Sequence, residues 1–135
     1  MVLVDTTVWV DLFSGLTTPQ VTLLESLIAQ REDICLCGVI LTEVLQGIRD
    51  DKEHAKTQVI FSNLLYLPMI RETFLRAAHI YRSLRARGIT IRNPIDCMIA
   101  AVCIENKVAL LHHDRDFDLI SKHFDLEILN PSAGS

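Results

Sequence analysis

The stretch PIDCMIAAVCIENKVALLHHD, residues 94–114, decides the fold of this chain. Pro94 suits the first turn of a helix, and residues 95–106 are apolar on nearly every side, which predicts a helix that is buried on more than one face. The run 108–111 has the length and composition of a buried strand and is followed by polar residues up to Asp114. A buried helix that leads directly into a buried strand is typical of an α/β domain with a parallel sheet.

The same alternation of strand-length and helix-length segments continues toward both ends of the chain. We predict further strands at 2–4, 34–37 and 126–129, and a short extended piece at 66–67. We predict further helices at 7–13, 19–30, 38–49, 52–65, 72–87 and 115–122. In two of them the predicted apolar faces are Ala55, Val59, Ile60 and Leu64, and Phe74, Ala77, Ala78, Tyr81 and Leu84. The pattern indicates a three-layer α/β/α sandwich around a parallel sheet of four to five strands.

Length and composition fit one small domain. The chain has 135 residues, 50% of them hydrophobic and 22% charged, which suffices for one core. We predict a single domain over 1–130 and a disordered tail over 131–135. No apolar run reaches the ~18 residues needed to span a bilayer, and the start of the chain meets Asp5 without a basic segment, so we expect no membrane span and no signal peptide. The four cysteines lie in apolar runs, so we expect reduced, buried thiols in a cytoplasmic protein.

Acidic residues fall where the predicted strands end. Asp5 follows the first strand, and Asp114 follows the strand at 108–111. Asp96 lies in the first turn of the buried helix, and Glu43 lies early in the helix after the second strand. Because parallel strands place their carboxyl ends at one edge of a sheet, where ligands bind, we expect these four carboxylates to lie close together.

Helix capping is the alternative explanation for the three aspartates, because each could accept N–H groups from the helix that follows. It does not explain Glu43, since position 40 is Ile and offers no hydroxyl for a capping box. Two carboxylates ~4 Å apart repel by ~4 kcal/mol at an effective dielectric constant of ~20, so a cluster requires protons or cations. Oxygen ligands without Cys or His favour Mg²⁺ or Mn²⁺. The pattern therefore indicates hydrolysis of a phosphodiester by metal-activated water.

Four short motifs in this chain resemble those of PIN-domain ribonucleases, and they occur in the family's order. They are DTTVWVD at 5–11, EVLQG at 43–47, DCMIAA at 96–101 and DRDF at 114–117. The resemblance is to the VapC-type toxins of toxin–antitoxin pairs. It implies a PIN-like fold and a Mg²⁺- or Mn²⁺-dependent endoribonuclease that acts on RNA, forms a homodimer and is inhibited by a cognate antitoxin.

The same resemblance assigns roles to individual residues. Asp5 and Asp96 correspond to the principal metal ligands, and Glu43 and Asp114 complete the catalytic acidic pocket. Asp116 matches the second acid of the closing motif and is a weaker metal candidate, because its alternative role is to stabilise a helix N-terminus.

Two further positions near this pocket each have more than one interpretation. Thr7 matches the family's hydroxyl position, where it would orient water or a phosphate, although an ordinary first-turn residue is an equal alternative. The chain departs from the family where His112 and His113 precede Asp114, since a small hydroxyl residue is usual just before the last acid. The alternatives for His113 are a contact with the substrate, an effect on the pKa of nearby acids, or an ordinary polar residue at a strand end, and we favour the last.

The net charge of −4 conceals a basic segment. Residues 71–92 hold six arginines against one acid, Glu72, so the rest of the chain is strongly acidic. Among the arginines, Arg82 and Arg85 are candidates for contacts with RNA phosphates. A solvated helix face with salt bridges would give the same composition.

Other classes of protein with acids at the end of a strand fit less well. A receiver-like regulatory binding domain requires an acidic pair after the first strand, but Thr6 and Thr7 follow Asp5. A phosphatase of the haloacid dehalogenase type requires Asp-x-Asp there, and position 7 is again Thr. A non-catalytic PIN-like domain is the remaining alternative, and the presence of all four acids disfavours it.

Overall fold

The computed structural model describes residues 1–131, and in this part of the chain the sheet has four parallel strands in the order β3-β2-β1-β4. The strands are β1 (Val2–Val4), β2 (Ile34–Cys37), β3 (Leu65–Leu67) and β4 (Ala109–Leu111). The flanking helices are α1 (Thr6–Phe13), α2 (Pro19–Ala29), α3 (Gly38–Gln46), α4 (Asp51–Ser62), α5 (Arg71–Ala86), α6 (Pro94–Asn106) and α7 (Arg115–Ser121). The predicted α/β sandwich with a parallel sheet is confirmed.

The predicted strand at 126–129 forms only one isolated bridge, between Leu110 and Ile128. Leu110 donates to the carbonyl of Glu127 at 2.9 Å and accepts from the N–H of Leu129 at 2.8 Å. The ladder cannot extend through Pro131, because proline has no N–H to donate. The predicted tail at 131–135 lies outside the described residues apart from Pro131.

Helix α6 passes through the middle of the core, as its all-round apolar sequence predicts. Seven of its residues are buried, including both of its cysteines, Cys97 and Cys103. Burial raises the pKa of the Cys37 and Cys97 thiols to about 11, so these thiols stay neutral. The four cysteines are free and buried, as expected. Within residues 1–131, no helix is both long and apolar enough to cross a membrane.

Two helices present a different face to the core from the one predicted. In α5 the buried residues are Thr73, Ala77, Ile80 and Leu84, and in α4 they are Thr57 and Phe61. Phe74 is 44% exposed and Val59 is 64% exposed. The predicted apolar faces of these two helices were therefore wrong in part, and large apolar side chains lie on the outer surface of the domain.

Candidate metal centre

Asp5 lies at the junction of β1 and α1, and it is both a helix cap and part of the acidic edge. It is 3% exposed. Its Oδ2 accepts the backbone N–H of Thr7 at 3.2 Å and the Thr7 hydroxyl at 2.6 Å. Burial raises the pKa of Asp5, while the two hydrogen bonds from Thr7 act in the opposite direction. Since both bonds end on Oδ2, capping engages one oxygen of the carboxylate.

Asp96 lies in the first turn of α6, which begins after the Asn93 cap. It is 6% exposed, and its Oδ2 is buried without a hydrogen-bond partner. Burial raises the pKa of Asp96 to about 7, and the charges of Asp5, Asp114, Asp116 and Glu43 act in the same direction. An unpartnered buried carboxylate oxygen is unfavourable, so this position requires either a proton or a cation.

Asp114 and Asp116 complete a group of three carboxylates with Asp96. One oxygen of each residue lies within 4.8 Å of one oxygen of each of the others. Asp114 caps α7 by accepting the N–H of Asp116 at 3.0 Å, and Asp116 is 3% exposed. Asp116, which the sequence ranked below the four principal acids, is thus an equal member of the group that the structure brings together.

Glu43 lies beside this group and not within it. Its Oε1 accepts the hydroxyl of Thr6 at 2.8 Å. Its negative charge contributes to the raised pKa of both Asp5 and Asp96, which places it on the same edge of the sheet. Asp5 and Glu43 therefore border the three-carboxylate group, where their charges add to its negative potential.

Arg92 is the residue at this centre that sequence reasoning missed. It donates from its backbone N–H and its Nε to Oδ2 of Asp116, at 3.1 and 3.3 Å, and from its terminal nitrogen to Oδ1 of Asp114 at 3.1 Å. The hydrogen bond with Asp116 is the main cause that raises the pKa of Arg92. Its side chain is 65% exposed. One signal pointed to it, because Arg92 lies in the loop that enters the Asp96 helix.

The hydroxyl of Thr7 connects two parts of the centre. It donates to Asp5 and accepts the backbone N–H of His113 at 3.2 Å. The His113 ring lies 3.1 Å from Oδ2 of Asp11 and is half exposed. Thr7 therefore joins the end of β1 to the segment that carries Asp114.

Arg82 and Arg85 are exposed on α5. The guanidinium of Arg85 lies 5.6 Å from the centre of the Tyr81 ring. Arg82 borders a cavity of about 270 Å³ that is also lined by Phe74, Tyr81 and Met98. Neither arginine pairs with an acid of the centre among the described residues.

The donor set fits a hard divalent cation. Asp96, Asp114 and Asp116 offer only carboxylate oxygens, and His112 directs its ring nitrogens toward Asp118 and the backbone of Asp114. Oxygen-only sets bind Mg²⁺ or Mn²⁺ in preference to zinc, which favours Cys and His ligands. The unpartnered Oδ2 of Asp96 is a ligand atom that no group of the protein has taken.

Comparisons with known proteins agree with this architecture. A PIN domain is recognised over residues 2–123. The chain is 33% identical over 129 residues to a VapC ribonuclease of Mycobacterium bovis and to ribonuclease VapC11 of Mycobacterium tuberculosis, covering 94% of this chain and 96% of each relative.

Solved structures show the same fold at lower identity. The VapBC2 complex of Rickettsia felis, bound to a promoter DNA fragment, gives a TM-score of 0.75 at 20% identity, over 96% of this chain and 98% of that chain. A toxin–antitoxin complex of Klebsiella pneumoniae gives a TM-score of 0.70 at 19% identity, over 97% and 98% of the two chains.

The fold and the acidic edge define a small α/β domain of the kind that carries a metal centre at the carboxyl ends of its strands. This chain belongs to the PIN-domain family. The two similar proteins from Mycobacterium bovis and Mycobacterium tuberculosis are both VapC ribonucleases. The resemblance that the four sequence motifs indicated is confirmed.

Proposed function

We propose that this protein is a Mg²⁺- or Mn²⁺-dependent endoribonuclease that cleaves RNA in the cytoplasm as the toxin of a toxin–antitoxin pair. The observation that supports it most directly is the buried, unpartnered Oδ2 of Asp96 beside Asp114 and Asp116. Its VapC ribonuclease relatives match it over nearly the whole chain, which supports the same chemistry here.

In this proposal Asp96, Asp114 and Asp116 hold the cation, and Asp5 and Glu43 complete the acidic pocket. When bound, a divalent cation polarises a phosphoryl oxygen and lowers the pKa of a coordinated water. The protein holds the pocket in place through the Thr7 hydroxyl on Asp5 and the Thr6 hydroxyl on Glu43.

Arg92 has a separate part in the proposal. Its guanidinium lies at the solvent edge of the pocket, where its planar set of donors suits a phosphate. It also offsets the repulsion between Asp114 and Asp116, which it contacts at 3.1 and 3.3 Å.

The test is RNA cleavage with titrated Mg²⁺ or Mn²⁺ by wild type, Asp5→Asn, Asp96→Asn and a control. Asp50→Asn is the matched control, because Asp50 also caps a helix but is exposed at the start of α4. Asparagine caps as well as aspartate does at positions 5 and 50, and at position 96, which is not a cap, it has nearly the same shape, so the folds should persist. We expect Asp96→Asn to lose at least ~100-fold in rate, Asp5→Asn to lose activity, and Asp50→Asn to match wild type.

Several results of this experiment would contradict the proposal. If cleavage is unaffected by chelation of divalent ions, or if both Asp5→Asn and Asp96→Asn retain it, the metal centre does not catalyse it. A wild type that folds but neither cleaves RNA nor binds Mn²⁺ would favour the non-catalytic PIN-like alternative.

We also propose an antitoxin partner and a homodimer. The similar solved structures include toxin–antitoxin complexes, which supports the first. The homodimer is supported by large apolar side chains that are exposed on and beside α1 and α5, since large exposed apolar patches usually mark interfaces. These side chains are Phe13, Leu16, Ile70, Phe74 and Leu75. Light scattering on the purified chain measures the dimer directly.

A further inference from the structure

His112 follows β4 and lies two residues before Asp114. It is 8% exposed, and its ring lies 5.1 Å from that of Phe117. Its Nδ1 is 3.0 Å from the backbone N of Asp114, and its Nε2 is 3.1 Å from Oδ1 of Asp118. Both ring nitrogens of this buried histidine therefore have a partner.

These two contacts determine the tautomer of the ring. A backbone N–H can only donate, so Nδ1 must present a lone pair to Asp114. The ring proton is then on Nε2, where it is donated to the carboxylate of Asp118. This is the arrangement in which a carboxylate orients a histidine, and the histidine in turn orients a further group.

We infer that His112 is a positioning residue for the Asp114 carboxylate, an inference that rests on the proposed metal centre. Asp114 has an extended backbone, with φ −144° and ψ 123°, and its Oδ1 accepts from the N–H of Asp116 and from Arg92. His112 holds the N–H of Asp114 itself. The peptide plane that precedes Asp114 is held as a result, while the N–H of Asp116 and the guanidinium of Arg92 hold the carboxylate itself.

His112 lies in the segment where the resemblance led us to expect a small hydroxyl residue before the last acid. A hydroxyl offers its donor and its acceptor at one oxygen, whereas the two nitrogens of His112 lie on opposite sides of the ring and so reach both Asp114 and Asp118. The histidine adds a second anchor, Asp118, which lies in α7.

The experiment measures Mn²⁺ binding by calorimetry, with the metal alone as the probe. The proteins are wild type, His112→Leu, His112→Asn and the control His123→Leu, where His123 is exposed and contacts Arg87. We expect His112→Leu to weaken Mn²⁺ binding by about 10- to 100-fold, the usual effect of removing a group that orients a ligand. The Oδ1 of asparagine can replace Nδ1 as the acceptor, so His112→Asn should stay within about threefold of wild type, and His123→Leu should match it.

The comparison of the two His112 variants separates positioning from simple packing. If His112→Asn loses as much affinity as His112→Leu at an equal melting temperature, or if His112→Leu binds like wild type, the positioning role is overturned. If folded wild type itself does not bind Mn²⁺, the proposed metal centre fails and this inference falls with it. If His112→Leu does not fold, His112→Asn still tests the role, because a large loss of Mn²⁺ affinity in folded His112→Asn contradicts it.

Discussion

At the scale of single residues, Asp96 has the strongest conflict between burial and charge. It is 6% exposed, it lacks a partner for Oδ2, and four other acids raise its pKa further. The same residue would be an ordinary first-turn aspartate if it were exposed. Its environment is what makes it a candidate for function, because structural sites rarely leave a buried carboxylate oxygen without a partner.

The raised pKa of Asp96 predicts how the metal-free protein responds to pH. The pKa is about 7 in the folded chain against an ordinary 3.8, so between these values the folded state holds a proton that the unfolded state has lost. Stability therefore falls as pH rises from ~4 to ~7. We expect a loss of more than ~1 kcal/mol, since a tenfold change in proton affinity corresponds to ~1.4 kcal/mol. Urea unfolding in EDTA from pH 4.5 to 8 measures it.

Asp96→Asn is the control for this pH dependence. Asparagine keeps the shape but does not titrate, so the decline should become shallower in that variant. Identical pH profiles for the two proteins would assign the decline to other groups, such as Asp5, whose pKa is also raised by burial. Saturating Mn²⁺ should also reduce the decline, because a cation stabilises the ionised carboxylate.

The sequence predicts which residues belong to this centre where they directly follow a strand. Asp5 and Asp114 follow strands, and in the structure both lie at the carboxyl edge of the sheet. Arg92 could not be found in this way, because it pairs with acids 22 and 24 residues away through a loop whose path depends on how α5 packs on α6.

At the scale of whole elements, the order of strands and helices follows from sequence period, while the rotation of two helices does not. In α5 and α4 the buried face includes Thr73 and Thr57. Thr57 donates to the carbonyl of Glu53 at 2.8 Å, and Thr73 accepts the N–H of Ile70 at 3.2 Å. A threonine whose hydroxyl is satisfied locally can be buried like an apolar residue, which a count of apolar positions does not register.

The start of α6 allows a test of how an element supports the metal centre. Asn93 caps this helix by accepting the N–H of Ile95 at 3.1 Å, and Thr18 caps α2 by accepting the N–H of Val21 at 3.0 Å. Asn93→Ala and Thr18→Ala should each cost about 1 kcal/mol of stability. Only Asn93→Ala should also weaken Mn²⁺ binding, because the first turn of α6 carries Asp96. Urea unfolding and calorimetry measure the two effects.

Equal Mn²⁺ affinity in these two variants would contradict the link between the cap and the centre. The stability loss in Thr18→Ala is the essential control, since it shows what capping alone contributes. The comparison thus separates the position of Asp96 from the general stability of the domain.

At the scale of the whole molecule, negative and positive side chains lie in two neighbouring regions. The acids gather at the carboxyl edge of the sheet, whereas α5 carries four exposed arginines and packs against α6, which bears Asp96. The acidic edge would attract a cation, and the arginines of α5 would attract a polyanion. For the proposed RNA substrate, we therefore expect phosphate contacts along α5.

The salt dependence of RNA binding tests this division. In an Asp96→Asn background, which prevents cleavage, Arg82→Gln and Arg85→Gln keep most of each side chain but remove its charge. If the removed charge binds a phosphate, the slope of log K against log salt should fall by about 0.7 for single-stranded RNA. The control is Lys56→Gln, an exposed cation on α4. Fluorescence anisotropy across a salt series gives the slopes. Unchanged slopes in both arginine variants would mean that these two residues do not bind phosphates.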